Sequence, residues 1–211
     1  MKKIILLLTA VLFVTLSTNA QDSSTNFGVK AGPNFSKYSG PLFDAEFKWI
    51  VGFYVGGFAN FSISERFKIQ PELLLSTQGS RLQVRDISIF DVESGDTVVG
   101  DFTTKTSETA IMLPIVSRFF VTEAFFLEAG PQLGFVFNTK EEVVESPTDD
   151  PNFNQISDQN YDKFDVGLAV GLGYKASEKI MINGRYFFGL IERNLLGVKS
   201  SVVNIGLEYQ F

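Results

Sequence analysis

Four carboxylates, Glu72, Glu128, Asp165 and Glu208, are the residues through which this chain could do acid–base chemistry. Each lies on the polar side of a segment whose residues alternate in character. Four cations, Lys30, Lys68, Arg118 and Arg185, occupy the same side. With both signs equally represented on one face, salt bridging is the simpler reading, because a charge withdrawn from water needs a partner. The chain has no histidine, which removes the commonest general base, the commonest zinc ligand and any Ser-His-Asp arrangement. It has no cysteine, so disulfides, thiolate metal sites and a lipid-modified cysteine are excluded. The eight charges are read as a structural network. No catalytic, cofactor-binding or metal-binding residue is assigned, no cofactor is expected, and the protein is expected not to be an enzyme.

A second acidic group fills the connection 140–162, with Glu141, Glu142, Glu145, Asp149, Asp150, Asp158 and Asp162. Oxygen ligands of this kind can hold calcium, but their spacing is not that of a calcium-binding loop, and a solvated surface loop is the better reading. Tyr38, Phe43, Phe47 and Trp49 cluster near the first long connection and are expected in an aromatic girdle.

The elements that position these side chains follow from period-two alternation, the mark of a strand with two different environments. Phe67, Ile69, Pro71, Leu73 and Leu75 alternate with Lys68, Gln70, Glu72, Leu74 and Ser76. Comparable patterns cover Phe125–Asn138, Phe164–Tyr174, Ile180–Leu190 and Val203–Phe211, and weaker ones begin at Phe27 and Trp49. The segment Thr109–Phe120 is apolar on both faces, and only Arg118 indicates which parity is inward. Strands are thus expected near 26–35, 49–62, 65–78, 105–120, 123–138, 163–175, 178–191 and 200–211. Their connections alternate long and short, with tight turns around 62–64, 121–122 and 176–177.

Eight strands with alternating connections predict an all-β, eight-stranded antiparallel up-and-down transmembrane β-barrel. A lipocalin-like barrel has the same strand count with its apolar face turned inward, and a β-sandwich shares the strand spacing. The charge-bearing second face argues for the membrane version, since an Arg or Lys on the lipid side near the midplane costs about 2–4 kcal/mol. Pro71, Pro114 and Pro131 fall inside strands, where a bulge or a boundary position is expected. At the N-terminus, Lys2 and Lys3 precede the uncharged run Ile4–Leu16 and the small-residue site Thr18-Asn19-Ala20, which read as a cleavable signal peptide over 1–20 with the barrel domain over 21–211. The net charge of −6 argues against nucleic acid as a partner.

Gly28-Val29-Lys30-Ala31-Gly32-Pro33-Asn34-Phe35-Ser36, Gln70-Pro71-Glu72-Leu73-Leu74, Leu113-Pro114-Ile115, Leu127-Glu128-Ala129-Gly130-Pro131-Gln132, Gly171-Leu172-Gly173-Tyr174 and Gly206-Leu207-Glu208-Tyr209-Gln210-Phe211 follow one another along nearly the whole mature chain. In order and spacing these motifs resemble the PorT-like outer-membrane β-barrel proteins, a porin-family group. Pro33 departs from the pattern, where an aliphatic residue is more usual. The resemblance implies a small barrel in the outer membrane of a Gram-negative bacterium, and some relatives take part in protein secretion.

The expected partners are outer-membrane lipid, the barrel-assembly machinery during biogenesis, and an envelope or secretion protein. Leu207, Tyr209 and Phe211 resemble the C-terminal signal that the assembly machinery recognises. The leading functional expectation is a barrel that anchors and displays surface loops as an accessory of secretion or envelope assembly. A narrow channel or small-ligand-binding barrel is the alternative, and a membrane-embedded enzyme the third.

Overall fold

The computed structural model describes residues 25–40, 45–90, 95–148, 162–193 and 197–211. The signal-peptide expectation for 1–20, and the positions Phe43, Asp149, Asp150 and Asp158, lie outside them. The described chain forms nine antiparallel strands: β1 (Thr25–Ser39), β2 (Ala45–Lys48), β3 (Ile50–Ser62), β4 (Phe67–Phe90), β5 (Thr97–Phe120), β6 (Phe125–Glu145), β7 (Phe164–Lys175), β8 (Ile180–Gly189) and β9 (Lys199–Gln210). β2 and β3 are two parts of one stave. Lys48 faces Arg81 and Tyr54 faces Ser76, so six steps on one side match five on the other, with Trp49 at the break. Eight staves result, as the alternation predicts.

The sheet closes. β1 pairs with β9 from Gly28–Gln210 to Ser39–Lys199, and Phe211 N donates to Phe27 O at 2.9 Å. This excludes a sandwich. From Thr25 the register passes through Phe61, Ile69, Ser117, Ala129, Val170, Tyr186 and Val203 and re-enters β1 at Phe35. One circuit therefore climbs from position 25 to 35. For eight staves with a rise of about 3.3 Å and a spacing of about 4.7 Å, that stagger tilts the strands by about 41° and sets a backbone radius of about 8 Å. A tube so narrow is filled by its own side chains.

Side-chain direction decides what the tube can be. Phe53, Leu73, Ile115, Leu133, Leu172 and Leu207 are all exposed on the outside, and the same parity continues along every stave. Inside lie Lys30, Glu72, Arg118, Glu128, Asp165, Arg185 and Glu208, all buried. The parity that Arg118 indicates for β5 is the observed one: Met112, Val116 and Phe120 point in, Ile111, Ile115 and Phe119 out. The lipocalin-like arrangement, apolar inward, is thereby excluded.

Four features differ from the sequence reading. The connection expected between 78 and 105 is paired strand, with Gln78–Glu108 continuing to Phe90–Thr97. Polar residues on both faces, Arg81 and Gln83 on one and Ser80, Thr104 and Thr106 on the other, hid the alternation there. The expected loop from 140 likewise begins as strand, since β6 pairs with β5 as far as Glu145.

The prolines make no bulges. Pairing runs from Pro71–Ile115 to Leu74–Met112, and from Pro114–Gln132 to Ser117–Ala129, in unchanged register. The ladder skips pairs locally instead of shifting. Real irregularities sit higher, between Val84 and Ile87, where Asp86 takes φ 51°, and at Thr103/Thr104 and Thr109/Ala110.

Tyr38 is not in a girdle. It is buried, facing inward with its ring edge-on to Phe47 at 6.3 Å.

Candidate functional site: the charged lumen

Six inward residues on six staves form a closed ring of alternating sign. Lys30 (β1) lies 3.4 Å from Glu72 (β4) and 2.9 Å from Glu208 (β9). Arg118 (β5) holds Glu208 through both terminal nitrogens, at 2.8 and 2.6 Å, and Glu128 (β6) through Nε at 2.9 Å. Arg185 (β8) repeats the motif, with two bonds to Glu72 at 2.9 and 2.7 Å and Nε to Glu128 at 2.7 Å. Running Lys30–Glu72–Arg185–Glu128–Arg118–Glu208, the circuit returns to Lys30. Three positive and three negative charges cancel within it.

Planar guanidinium forks are suited to two-oxygen recognition of this kind. Both oxygens of each carboxylate accept from a cation. Glu72 also accepts from Gln70 Nε2 at 2.9 Å and Glu128 from Asn183 Nδ2 at 3.2 Å. A carboxylate so occupied has no free oxygen aimed at a substrate, so the ring cross-braces strands; it does not present a general base. Arg118 further stacks on Phe126, 4.6 Å from the ring centroid.

Two of the eight residues singled out in the sequence stand apart. Lys68 lies half-buried at the lower end of the lumen, 5.2 Å from the Phe120 ring centroid and outside the ring of charges. Asp165 belongs to a second, upper cluster that the sequence did not reveal. There Arg193, from the segment between β8 and β9, donates to Glu108 at 2.8 Å, to Asp165 at 3.3 Å, to Ser200 Oγ at 3.3 Å and to Asp162 O at 3.0 Å. Glu108 shares Arg118's parity and could have been placed inward from that alone. Arg193 sits in a connection, where periodicity carries no information.

Apolar side chains fill the levels between. Phe58, Phe120, Phe126 and Met181 pack below the ring, and Tyr54, Leu74, Ala110, Met112 and Val136 form a second cluster. Glycine makes room for the rings: a Cβ on Gly173 would stand 2.1 Å from Phe126 Cζ. Others permit close strand contact, as at Gly32, where a Cβ would meet Ile205 O at 1.8 Å. Among the described residues, no group of His, Cys, Asp and Glu could hold a metal ion.

The profile of the outer membrane protein β-barrel domain family matches residues 19–192. The chain belongs to that family. It is therefore an outer-membrane protein, and the apolar outside of the barrel is its lipid face.

No curated protein matches the chain in sequence. Among solved structures, the barrel is similar to the attachment invasion locus protein Ail of Yersinia pestis, at 10% identity and TM-score 0.48 over 89% of this chain and 99% of that one. Neisserial surface protein A is similar at 14% identity, with 88% and 97% covered and TM-score 0.48. OprG from Pseudomonas aeruginosa is similar at 12%, with 89% and 96% covered and TM-score 0.48.

The tight turns 63–66, 121–124 and 176–179 are closed by short hydrogen bonds such as Ile63 N to Phe67 O, 2.9 Å, and Ala176 N to Ile180 O, 2.9 Å. In an outer-membrane barrel such turns face the periplasm, so the extended ends of β4, β5 and β6 stand on the cell exterior. Leu207, Tyr209 and Phe211 lie on the lipid face of the last stave, with the Tyr209 and Phe211 rings 5.8 Å apart.

Proposed function

We propose that this barrel is a non-enzymatic, PorT-like anchor that displays its exterior segments to a secretion or envelope-assembly partner. The observation that carries the reading is a division of the molecule into a filled base and a raised wall. The base is bolted shut by the ring of charges. The wall is the β4–β5 hairpin: β4 continues 15 residues past Leu75, the last exposed apolar position of its band, to Phe90. At about 2.5 Å of height per tilted residue, this is roughly 35 Å above the lipid boundary. Exposed Phe90 and Val99 stand at its far end. The barrel-assembly machinery is proposed as the partner in biogenesis, reading Leu207, Tyr209 and Phe211.

Two measurements test this. The mature protein in planar bilayers is expected to give no sustained conductance steps, whereas a stable ohmic channel overturns the filled-base reading in favour of a channel. A photo-cross-linking residue at Val99 in native cells is expected to capture an envelope or secreted protein that one at Leu207 does not. Identical capture from both positions overturns the display role.

A further inference from the structure

The outer wall over β4, β5 and β6 changes chemistry in ordered rows. Its uppermost paired apolar row is Leu75, Ile111 and Phe135, each directly opposite the next, with Phe137 exposed just above Phe135 at the irregularity of β6. Above it stands the row Thr77, Thr109 and Asn138, and above that Ser107 faces Lys140. One step higher, Lys48, Arg81 and Lys105 face one another on three neighbouring strands. Arg81 lies six positions beyond Leu75, so the whole sequence of rows covers about 15 Å. Apolar, then hydroxyl and amide, then cationic is the order in which an anionic lipid presents acyl chain, sugar or glycerol, and phosphate.

Three cations stand side by side in this row. Residues directly opposite in an antiparallel pair share a face, and like charges so placed repel. The row ends on β6 at Glu142, directly opposite Lys105 and also bonded to Lys140, so one carboxylate is shared by two ammonium groups. Glu46 pairs with Arg85 at 3.7 Å, which leaves Lys48 and Arg81 without a carboxylate in their row among the described residues. The Lys140 hydrogen bond, with Lys105 adding its charge, holds the Glu142 carboxyl below its usual range. Arg81 Nε is shielded from solvent and makes no hydrogen bond among the described residues. A cavity of about 200 Å³ opens here, bounded in part by Lys105, Lys140, Thr77, Ser107, Thr109 and Asn138. On the neighbouring stave Trp49 is exposed, with Lys37 Nζ 5.1 Å from its ring, the kind of side chain that marks a membrane boundary.

We infer that this wall binds a phosphorylated glycolipid of the outer leaflet, its phosphate held by Lys105, Arg81 and Lys48 and its sugar hydroxyls against Thr77, Thr109 and Asn138. Guanidinium and ammonium groups supply the strong, charge-assisted bonds that phosphate oxygens accept. The apolar row below receives the acyl chains. The inference rests on the outer-membrane placement and is independent of the display role proposed above.

The test uses the mature barrel in phosphatidylcholine nanodiscs carrying lipid A, dephosphorylated lipid A or neither, with retained lipid counted by native mass spectrometry. Lipid A is expected to be retained and the dephosphorylated form not. K48Q/R81Q/K105Q is expected to lower retention about tenfold or more, since about 1.4 kcal/mol of lost binding is a factor of ten. The periplasmic-side control K175Q/K179Q leaves retention unchanged. Heat-modifiable mobility verifies folding, and the single K105Q serves if the triple variant fails to assemble. Equal retention of both lipids, or full retention by a folded K105Q and triple variant, overturns the inference. So does displacement of lipid A by millimolar inorganic phosphate, which would make this a site for the free anion.

Discussion

Arg118 and Glu208 are separated by 90 positions in the chain and by non-adjacent staves, yet their side chains meet in a two-point grip at 2.8 and 2.6 Å inside the lumen. The grip joins β5 to β9 across the tube. Neither residue reaches water, so each depends on the other and on the rest of the ring for compensation.

R118L leaves Glu208 held by Lys30 alone and Glu128 by Arg185 alone, in a buried ring now one positive charge short, and breaking a buried pair in this way costs about 3–5 kcal/mol. Urea titration in lipid vesicles, followed by heat-modifiable mobility, is expected to show that loss. The double variant R118L/E208L is expected to recover part of it, because both desolvated charges are then gone. A double variant as unstable as the sum of its singles would show that the two residues do not act as a pair.

Gly173 and Phe126 share one volume. G173A forces the Phe126 ring out of its place, and overpacking of this sort costs about 1–3 kcal/mol. F126L in the same chain is expected to restore stability, since a shorter side chain clears the space. Absence of such rescue in the same urea titration would mean that the ring is not what the glycine accommodates.

Placing a cation on the two sides of the lipid boundary separates the lipid face from the raised wall. L207R, in the middle of the exposed apolar positions of β9, is expected to cost about 2–4 kcal/mol in vesicles. F90R, near the far end of the hairpin, is expected to stay within about 0.5 kcal/mol of the parent. Equal costs would contradict the assignment of the β4–β5 extension to water.

Phe211 contributes a ring to the lipid face and, in the proposed reading, a signal to the assembly machinery. F211A should refold from urea into vesicles almost as well as the parent. In cells it should accumulate unassembled in the periplasm. Equal defects in vesicles and in cells would reduce its role to packing.

Much of this was legible in the residues themselves. Period-two alternation depends only on the pleat, which sends neighbouring side chains to opposite faces, so Leu73 and Glu72 could be assigned to different environments before any fold was known. The even strand count and the alternating connections then pointed to a tube with both ends on one side, and the pairing of β1 with β9 decided it against a sandwich. Even in β5, where apolar residues occupy both faces, the single charge at Arg118 was enough to set the parity.

What the tertiary structure alone decided was which inward residues meet, and at what height. Alternation places Lys68 and Lys30 on the same face but does not say that Lys30 enters the ring while Lys68 remains at its lower end. That depends on the stagger of ten positions per circuit, a property of all eight staves together. Arg193 lies in a connection with no period to read, and only the tertiary structure brings its side chain to Glu108 and Asp165. The row of Lys48, Arg81 and Lys105 is equally non-local. Each is an ordinary surface cation in the sequence, and register alone brings them side by side.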